Sequence, residues 1–176
     1  MLSPADLLAA VRTVDSFPEP GVSFKDLGPL LADPALARDT VEYLARPFLT
    51  AGVTHIVGVD ARGFWFGPSL ALRLGAAFVP ARKPGKLPPP TARVDYALEY
   101  GTDALELADG ALRPGDRVVL HDDVLATGGT AAAAAELVAA TGADLLGVSV
   151  VLELAFLDGR RRLDGQSVHA VAAVDG

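Results

Sequence analysis

The sequence contains no cysteine. Disulfide frameworks, thiol catalysis and cysteine-ligated zinc are thereby excluded. Histidine is scarce as well: His55, His121 and His169 are scattered, and no HExxH spacing occurs. Aromatic residues make up only 6% of the chain, so the core must be built largely from Ala, Val and Leu. No apolar run is long enough to span a bilayer, and the opening MLSPADLLAAVRTVD carries acids with no basic start. This pattern argues against a secretory signal or membrane anchor, and with the missing cysteine it fits a cytoplasmic protein. Basic residues are outnumbered 15 to 22, giving a formal net charge of -7. Nonspecific nucleic-acid binding is therefore disfavoured. An anionic small substrate remains compatible if local basic groups or a metal offset the field.

What is present is a globular composition: 176 residues, 51% hydrophobic and 21% charged. That length suits one domain, residues 1–176, with a buried core. Residues 3–13 read as a short amphipathic helix, with Ser3 as N-cap and Pro4 at its first position. Ser16 to Pro29 reads as a shaped loop, because three prolines frame Gly21. Asp33-Pro34 opens a second helix whose Val41, Leu44, Ala45 and Phe48 share one face. Pro47 marks its last turn and Gly52 lies past its end.

Thr54–Val59 and Arg117–Leu120 read as short apolar strands of the buried kind, and Ala77–Ala81 as a further strand. A helical stretch follows Asp60-Ala61-Arg62-Gly63 as far as about Leu74. Arg82 to Pro90 reads as a basic, proline-rich loop. Strands near Arg93–Leu98 and Ala104–Leu107 flank Glu99-Tyr100-Gly101 and suggest a hairpin-like flap. A helix over 130–140, a strand over Ala143–Leu152, a short helix and a last strand over Ser167–Val174 complete the chain. Strands alternating with helices predict a parallel α/β sheet covered on both faces. Ligands of such sheets sit beyond the carboxyl ends of the strands, where the loops 60–63 and 122–130 leave.

The second of these loops has the chemistry of an anion cradle. Gly128 and Gly129 let the backbone approach a ligand closely, Thr127 and Thr130 add hydroxyls, and a helix N-terminus follows. Neither GxxxxGK[ST] nor GxGxxG occurs, so it is not a Walker loop or a dinucleotide fingerprint. Asp122 and Asp123 stand just upstream. Beside a phosphate they can accept hydrogen bonds from vicinal hydroxyls or hold Mg²⁺. An acidic turn with ordinary glycines accounts for the spacing about equally well.

VVLHDDVLATGGT (Val118–Thr130) resembles the ribose-phosphate signature of type I phosphoribosyltransferases. FPEPGVSFKDLGPLL (Phe17–Leu31), GVDARGFWFGPSLA (Gly58–Ala71), RKPGKLP (Arg82–Pro88) and YALEYGTDALEL (Tyr96–Leu107) each resemble blocks of the adenine phosphoribosyltransferases, in the family order. The resemblance covers roughly residues 15 to 155. It implies a type I phosphoribosyltransferase-like α/β fold, a parallel sheet with helices on both faces. A small N-terminal hood (1–33) and a mobile β flap (about 83–107) are implied with it.

The resemblance also implies the site. Asp122 and Asp123 would hold the ribose hydroxyls; Ala126, Thr127, Gly128, Gly129 and Thr130 the 5'-phosphate. Asp60, Ala61, Arg62, Arg82, Lys83 and Lys86 would bind pyrophosphate. Ser23, Phe24 and Lys25 would bind adenine, Phe24 by stacking and its neighbours through the main chain. Ser23 and Lys25 replace residues that are often apolar and Arg in the family. Glu99 would act at purine N7 and Tyr100 would close the flap. His121 stands where an apolar residue is usual and reads as a satisfied strand-end histidine.

The implied activity is transfer of phosphoribosyl from phosphoribosyl pyrophosphate to adenine, in purine salvage. Mg²⁺ is the implied cofactor, held mainly through substrate and water near Asp122 and Asp123, and the implied assembly is a homodimer. No nucleic-acid or membrane partner is expected. A 6-oxopurine enzyme is the nearest alternative, but Ala126 replaces the loop Asp common in those relatives and cannot transfer a proton. A non-catalytic ligand-sensing regulator is a further alternative. About 16 residues before the first block leave little room for a DNA-binding module.

Overall fold

Ile56 and Val57 are neighbours on one strand, yet they enter different cores, because successive side chains of a strand point to opposite faces. Val119 and Leu120 divide in the same way. These residues belong to a five-stranded parallel sheet that buries both faces. The computed structural model describes residues 1–97 and 102–175.

In chain order the elements are α1 (Pro4–Ala10), β1 (Arg12–Asp15), β2 (Ser23–Asp26), α2 (Gly28–Ala32), α3 (Pro34–Ala45), β3 (His55–Val59) and α4 (Gly67–Leu74). Then come β4 (Ala77–Ala81), β5 (Thr91–Ala97), β6 (Thr102–Ala108), β7 (Arg117–Leu125), α5 (Gly129–Ala140), β8 (Asp144–Leu154) and β9 (Val168–Val174). The sheet order is β4-β3-β7-β8-β9. From β3 the chain first moves to one side, to β4, and later returns to the other side as β7. The switch point therefore lies between β3 and β7, where this class of sheet binds ligands.

Local sequence explains the helix starts. Ser3 and Asp6 form a reciprocal capping box on α1, and Asp33 Oδ1 accepts from the amides of Ala35 (2.7 Å) and Leu36 (3.0 Å) on α3. Leu44, Ala45 and Phe48 are buried as their spacing predicts. Leu7, Leu30, Leu44 and Leu70 join one core, and Leu105, Leu107, Leu137 and Val138 the other. Among the described residues no helix is long and apolar enough to cross a membrane.

Five expectations need correction. The stretch from Ser16 to Pro29 is not all loop: β2 lies within it and α2 begins there. β2 pairs antiparallel with β1, so the first helix ends at Ala10 rather than running to residue 13. The Arg12–Asp26 ion pair (2.6 Å) and the Val14–Phe24 register close this hairpin. β7 does not stop at Leu120; it runs through the acids to Leu125, because β8 supplies backbone partners as far as Glu153. The stretch after Gly63 is a 3-10 turn over Arg62–Phe64 followed by α4. The short helix after β8 is two 3-10 turns, Ala155–Leu157 and Gly159–Leu163.

Candidate active site

The 5'-phosphate candidates surround one cavity of about 160 Å³, lined by Arg62, Asp122 and Val124 through Ala131. Its floor is the N-terminus of α5, whose first amides have no partner within the helix and point at the opening. Gly128 caps the helix at φ +81°, a left-handed conformation that glycine adopts without steric cost. A side chain at Gly128 would collide with the backbone of Gly159, whose carbonyl carbon lies 3.0 Å from where the Cβ would sit. The turn after β8 thus forms the back wall of the cradle. Sequence reasoning missed Gly159; its only local signal is a glycine in LDGRRRL.

Asp122 and Asp123 are adjacent on β7, so their side chains leave opposite faces. Asp122 lines the cavity, and its Oδ1 accepts from the Asp123 amide (2.9 Å). Asp123 is buried, with Oδ2 lying 3.2 Å from Arg62 Nε and lacking a hydrogen-bond partner among the described residues. Burial and the charge of Asp123 push the Asp122 carboxyl well above its ordinary range. Burial also raises Asp123, although Arg62 opposes it. Two such carboxylates are poised to take donors or a cation from a ligand.

Arg62 can lie against Asp123 because Gly63 follows it. A Cβ at Gly63 would sit 2.7 Å from the His121 carbonyl oxygen, so only glycine lets this loop approach β7. The Arg62 guanidinium also stands 5.5 Å from the Phe24 ring centre. There it borders a second pocket, about 130 Å³, lined by Val22, Ser23, Phe24, Lys25, Arg62, Val124, Ala126 and Leu154. The structure therefore brings all three adenine candidates to one wall, on the β1–β2 hairpin. Val22, Val124 and Leu154 were missed, as apolar residues carry no chemical signal. The two pockets share Arg62, Val124 and Ala126.

The pyrophosphate candidates separate. Asp60 accepts from Arg82 Nε (2.8 Å) and from the Lys83 amide (3.3 Å). Burial opposes its charge, but these donors outweigh it and hold Asp60 below its ordinary range. Asp60 therefore anchors Arg82 beside Ala61 and Arg62. The Lys83 ammonium is turned to the flap base, where it meets Asp103 and the Tyr96 hydroxyl (2.9 Å). Burial disfavours its charge, yet Asp103 and Tyr96 raise its pKa on balance. Lys86 is exposed on the same loop. Glu99 and Tyr100 lie outside the described residues. His121 is fully buried, with Nδ1 2.8 Å from the Ser149 carbonyl and Nε2 unpartnered among the described residues, so it is only half satisfied.

An anion cradle, paired acids and an aromatic pocket in series are what a sugar phosphate joined to a flat base requires. Residues 28–169 match the model of the phosphoribosyl transferase domain. An adenine phosphoribosyltransferase of Synechococcus sp. (strain JA-3-3Ab) is 53% identical over 171 residues, 97% of this chain and 98% of the relative. The chain belongs to the adenine phosphoribosyltransferase family. Its similarity extends to solved members. The enzyme of Thermoanaerobacter pseudethanolicus superposes with a TM-score of 0.95 at 42% identity, over 98% of this chain and all of that one. The Saccharomyces cerevisiae enzyme, complexed with an imino-altritol bisphosphate and adenine, gives 0.91 at 40% identity, over 96% and 97%. The α/β fold with a five-stranded parallel sheet is thus the fold of this adenine phosphoribosyltransferase family.

Proposed function

We propose that this chain transfers the phosphoribosyl group of phosphoribosyl pyrophosphate to N9 of adenine, giving AMP and pyrophosphate in purine salvage. One observation carries the reading: the anion cavity and the aromatic pocket share Arg62, Val124 and Ala126. A phosphate at the first and a planar base at the second leave the ribose between them, next to Asp122.

In the reaction the bond from C1' to pyrophosphate breaks and the bond from C1' to N9 forms, through a state with oxocarbenium character. Separated charge is the barrier. Asp122 and Asp123 accept from the ribose hydroxyls and fix C1' in place, which removes orientational freedom before the chemistry. Arg62 reaches pyrophosphate oxygens with its planar donor fork, with Arg82 held by Asp60 on the neighbouring strand end; Lys86 adds positive charge from the exposed loop, and Lys83 can do so only by leaving Asp103 and Tyr96. Asp60 and Ala61 shape that loop. Glu99 takes the proton from N7 as N9 attacks, and in reverse returns it as negative charge gathers on the departing base. Tyr100 closes over the reacting atoms and excludes water, which would otherwise hydrolyse the substrate.

Mg²⁺ suits the residues present. Asp123 offers a buried carboxylate oxygen without a hydrogen-bond partner among the described residues, ion-paired only with Arg62, and Asp122 stands beside it. Among the described residues no group of three or more ligand side chains occurs, so the ion would be shared with substrate and water, as Mg²⁺ prefers. When bound it neutralises charge on the departing pyrophosphate. Exposed Trp65 and Leu31 line one apolar groove with Val41 and Phe66, a surface that suits a second copy in a homodimer. A cytoplasmic setting suits a chain without cysteine.

A competition assay tests the activity. With phosphoribosyl pyrophosphate and Mg²⁺, adenine should be consumed in preference to hypoxanthine, guanine and xanthine. Preference for any of the three 6-oxopurines overturns the reading.

A further inference from the structure

Among the described residues no side-chain hydrogen bond tethers the loop from Ala126 to Gly128. It is shaped from behind. Gly159 is buried against it so closely that a Cβ on either Gly128 or Gly159 would strike the other segment's backbone. The position of Gly159 therefore sets the position of the loop. What holds Gly159 is the next residue. Arg160 makes a two-pronged ion pair with Glu153, Nε to Oε1 at 2.6 Å and a terminal nitrogen to Oε2 at 2.7 Å. Its remaining nitrogen donates to the Val168 carbonyl on β9 at 2.8 Å. Glu153 is itself buried and pairs in register with Leu125, the last residue of β7 before the cradle.

The chain of contact thus runs from β9 through Arg160 to Glu153 on β8, and from Gly159 to the loop after β7. Arg160 thus ties β8 to β9, while Glu153 pairs with Leu125 of β7 through the backbone. Arg rather than Lys is required, since only a planar fork meets both carboxylate oxygens and keeps a donor for the carbonyl.

We propose that Glu153 and Arg160 are positioning residues for phosphoribosyl pyrophosphate: their ion pair holds Gly159 against the loop 126–128 and so sets the spacing of the phosphate cradle. Neither touches substrate. The proposal rests on the reading of that loop as the 5'-phosphate site.

Steady-state kinetics of the full chain test it. Misplacing a binding loop by about 1 Å can cost on the order of 10²-fold, so Arg160→Ala and Glu153→Gln should each raise the KM for phosphoribosyl pyrophosphate about tenfold or more. The KM for adenine and kcat should stay close to wild type. Arg160→Lys should fall between. Because the two residues act as one unit, the double variant should be no worse than either single variant. Glu153→Gln keeps the side-chain shape and decides the matter if Arg160→Ala does not fold. An unmoved KM for phosphoribosyl pyrophosphate in folded variants overturns the proposal, as does a parallel loss in both KM values and kcat. Thr127→Asp, which puts a carboxylate into the cradle, separates the two layers. If it leaves phosphoribosyl pyrophosphate binding intact, the loop is not the phosphate site and the proposal falls with that reading. If it abolishes binding while Glu153→Gln and Arg160→Ala do nothing, only the positioning role fails.

Discussion

The Arg62 guanidinium stands 5.5 Å from the centre of the Phe24 ring. The same side chain lies 3.2 Å from Asp123, so one cation borders both the base pocket and the sugar acids. Arg62→Lys keeps the charge but loses the planar fork and its stacking on Phe24. The KM values for adenine and for phosphoribosyl pyrophosphate should both rise, with kcat/KM down about tenfold or more, a change of roughly 1.4 kcal/mol. Initial-rate measurements varying each substrate would show it. A change confined to phosphoribosyl pyrophosphate would mean that Arg62 serves the anion alone.

Asp122 sits at odds with its surroundings. Burial and the Asp123 charge push its carboxyl well above the ordinary range, so ionising it costs stability in the ligand-free protein. Asp122→Asn removes that cost together with the charge that strengthens the acceptor to the ribose. The ligand-free Tm should rise by about 2–4 °C, the shift expected for roughly 1 kcal/mol in a chain of this size. Affinity for phosphoribosyl pyrophosphate in Mg²⁺ should fall about tenfold or more, since a hydrogen bond to a charged group is lost. Asp123→Asn should weaken binding too. Calorimetric titration and a melting curve together check the trade; equal affinity in the variants would contradict the ribose assignment.

His121 gives the protein a pH dependence of the opposite sign to that of Asp122. Burial lowers its pKa to about 4 from an ordinary value of 6.5. Between these values the unfolded chain binds the proton and the folded one does not, so stability falls as pH falls through that window. The full effect of His121 is on the order of 3 kcal/mol. Asp122, with its raised pKa, instead gains stability as pH falls. The difference between wild type and His121→Leu isolates the histidine. Denaturant midpoints at several pH values should show the wild type losing stability relative to His121→Leu as pH drops from 7 to 4. Parallel curves would show that His121 does not charge on unfolding.

Much of this architecture was legible in the sequence because buried parallel strands read as unbroken apolar runs. Ala77–Ala81 was read to the residue, and the Asp33-Pro34 cap fixed the start of α3. The acids and the glycine loop announced themselves by residue type. What stayed hidden depends on partners distant in sequence. β2 forms because Ser23–Asp26 finds Arg12–Asp15 across a proline-rich turn, and neither segment alternates cleanly enough to show it. β7 continues through His121, Asp122 and Asp123 because β8 lies alongside, although those residues look like the end of a strand. Gly159 matters only through Gly128, and no local pattern can say that two glycines will meet.

Glu99 carries the acid–base role in the proposed reaction, and Glu99→Gln keeps the size of the side chain while removing the carboxylate that takes and returns the proton. Turnover should drop by about 10²-fold or more, the usual worth of such a group. Circular dichroism and Tm should remain as in the wild type. The loss should appear in single-turnover chemistry rather than in the KM for phosphoribosyl pyrophosphate. Unchanged turnover removes Glu99 from the role.

Gly128 and Gly110 provide a matched pair of substitutions that separates conformation from contact. Both have positive φ, +81° and +69°. At Gly110 a Cβ would meet nothing within 4 Å among the described residues, so Gly110→Ala should cost only the left-handed backbone penalty, roughly 1–2 kcal/mol. At Gly128 the same penalty is joined by a collision with the Gly159 backbone, which cannot withdraw without moving the cradle. Gly128→Ala should therefore lower Tm further than Gly110→Ala, and it alone should raise the KM for phosphoribosyl pyrophosphate. Melting curves and initial rates on the two proteins make the comparison. If both lose the same stability and both keep wild-type kinetics, the close approach of Gly128 to Gly159 has no part in shaping the phosphate site, because a loop that tolerates an added methyl there is not held by its back wall.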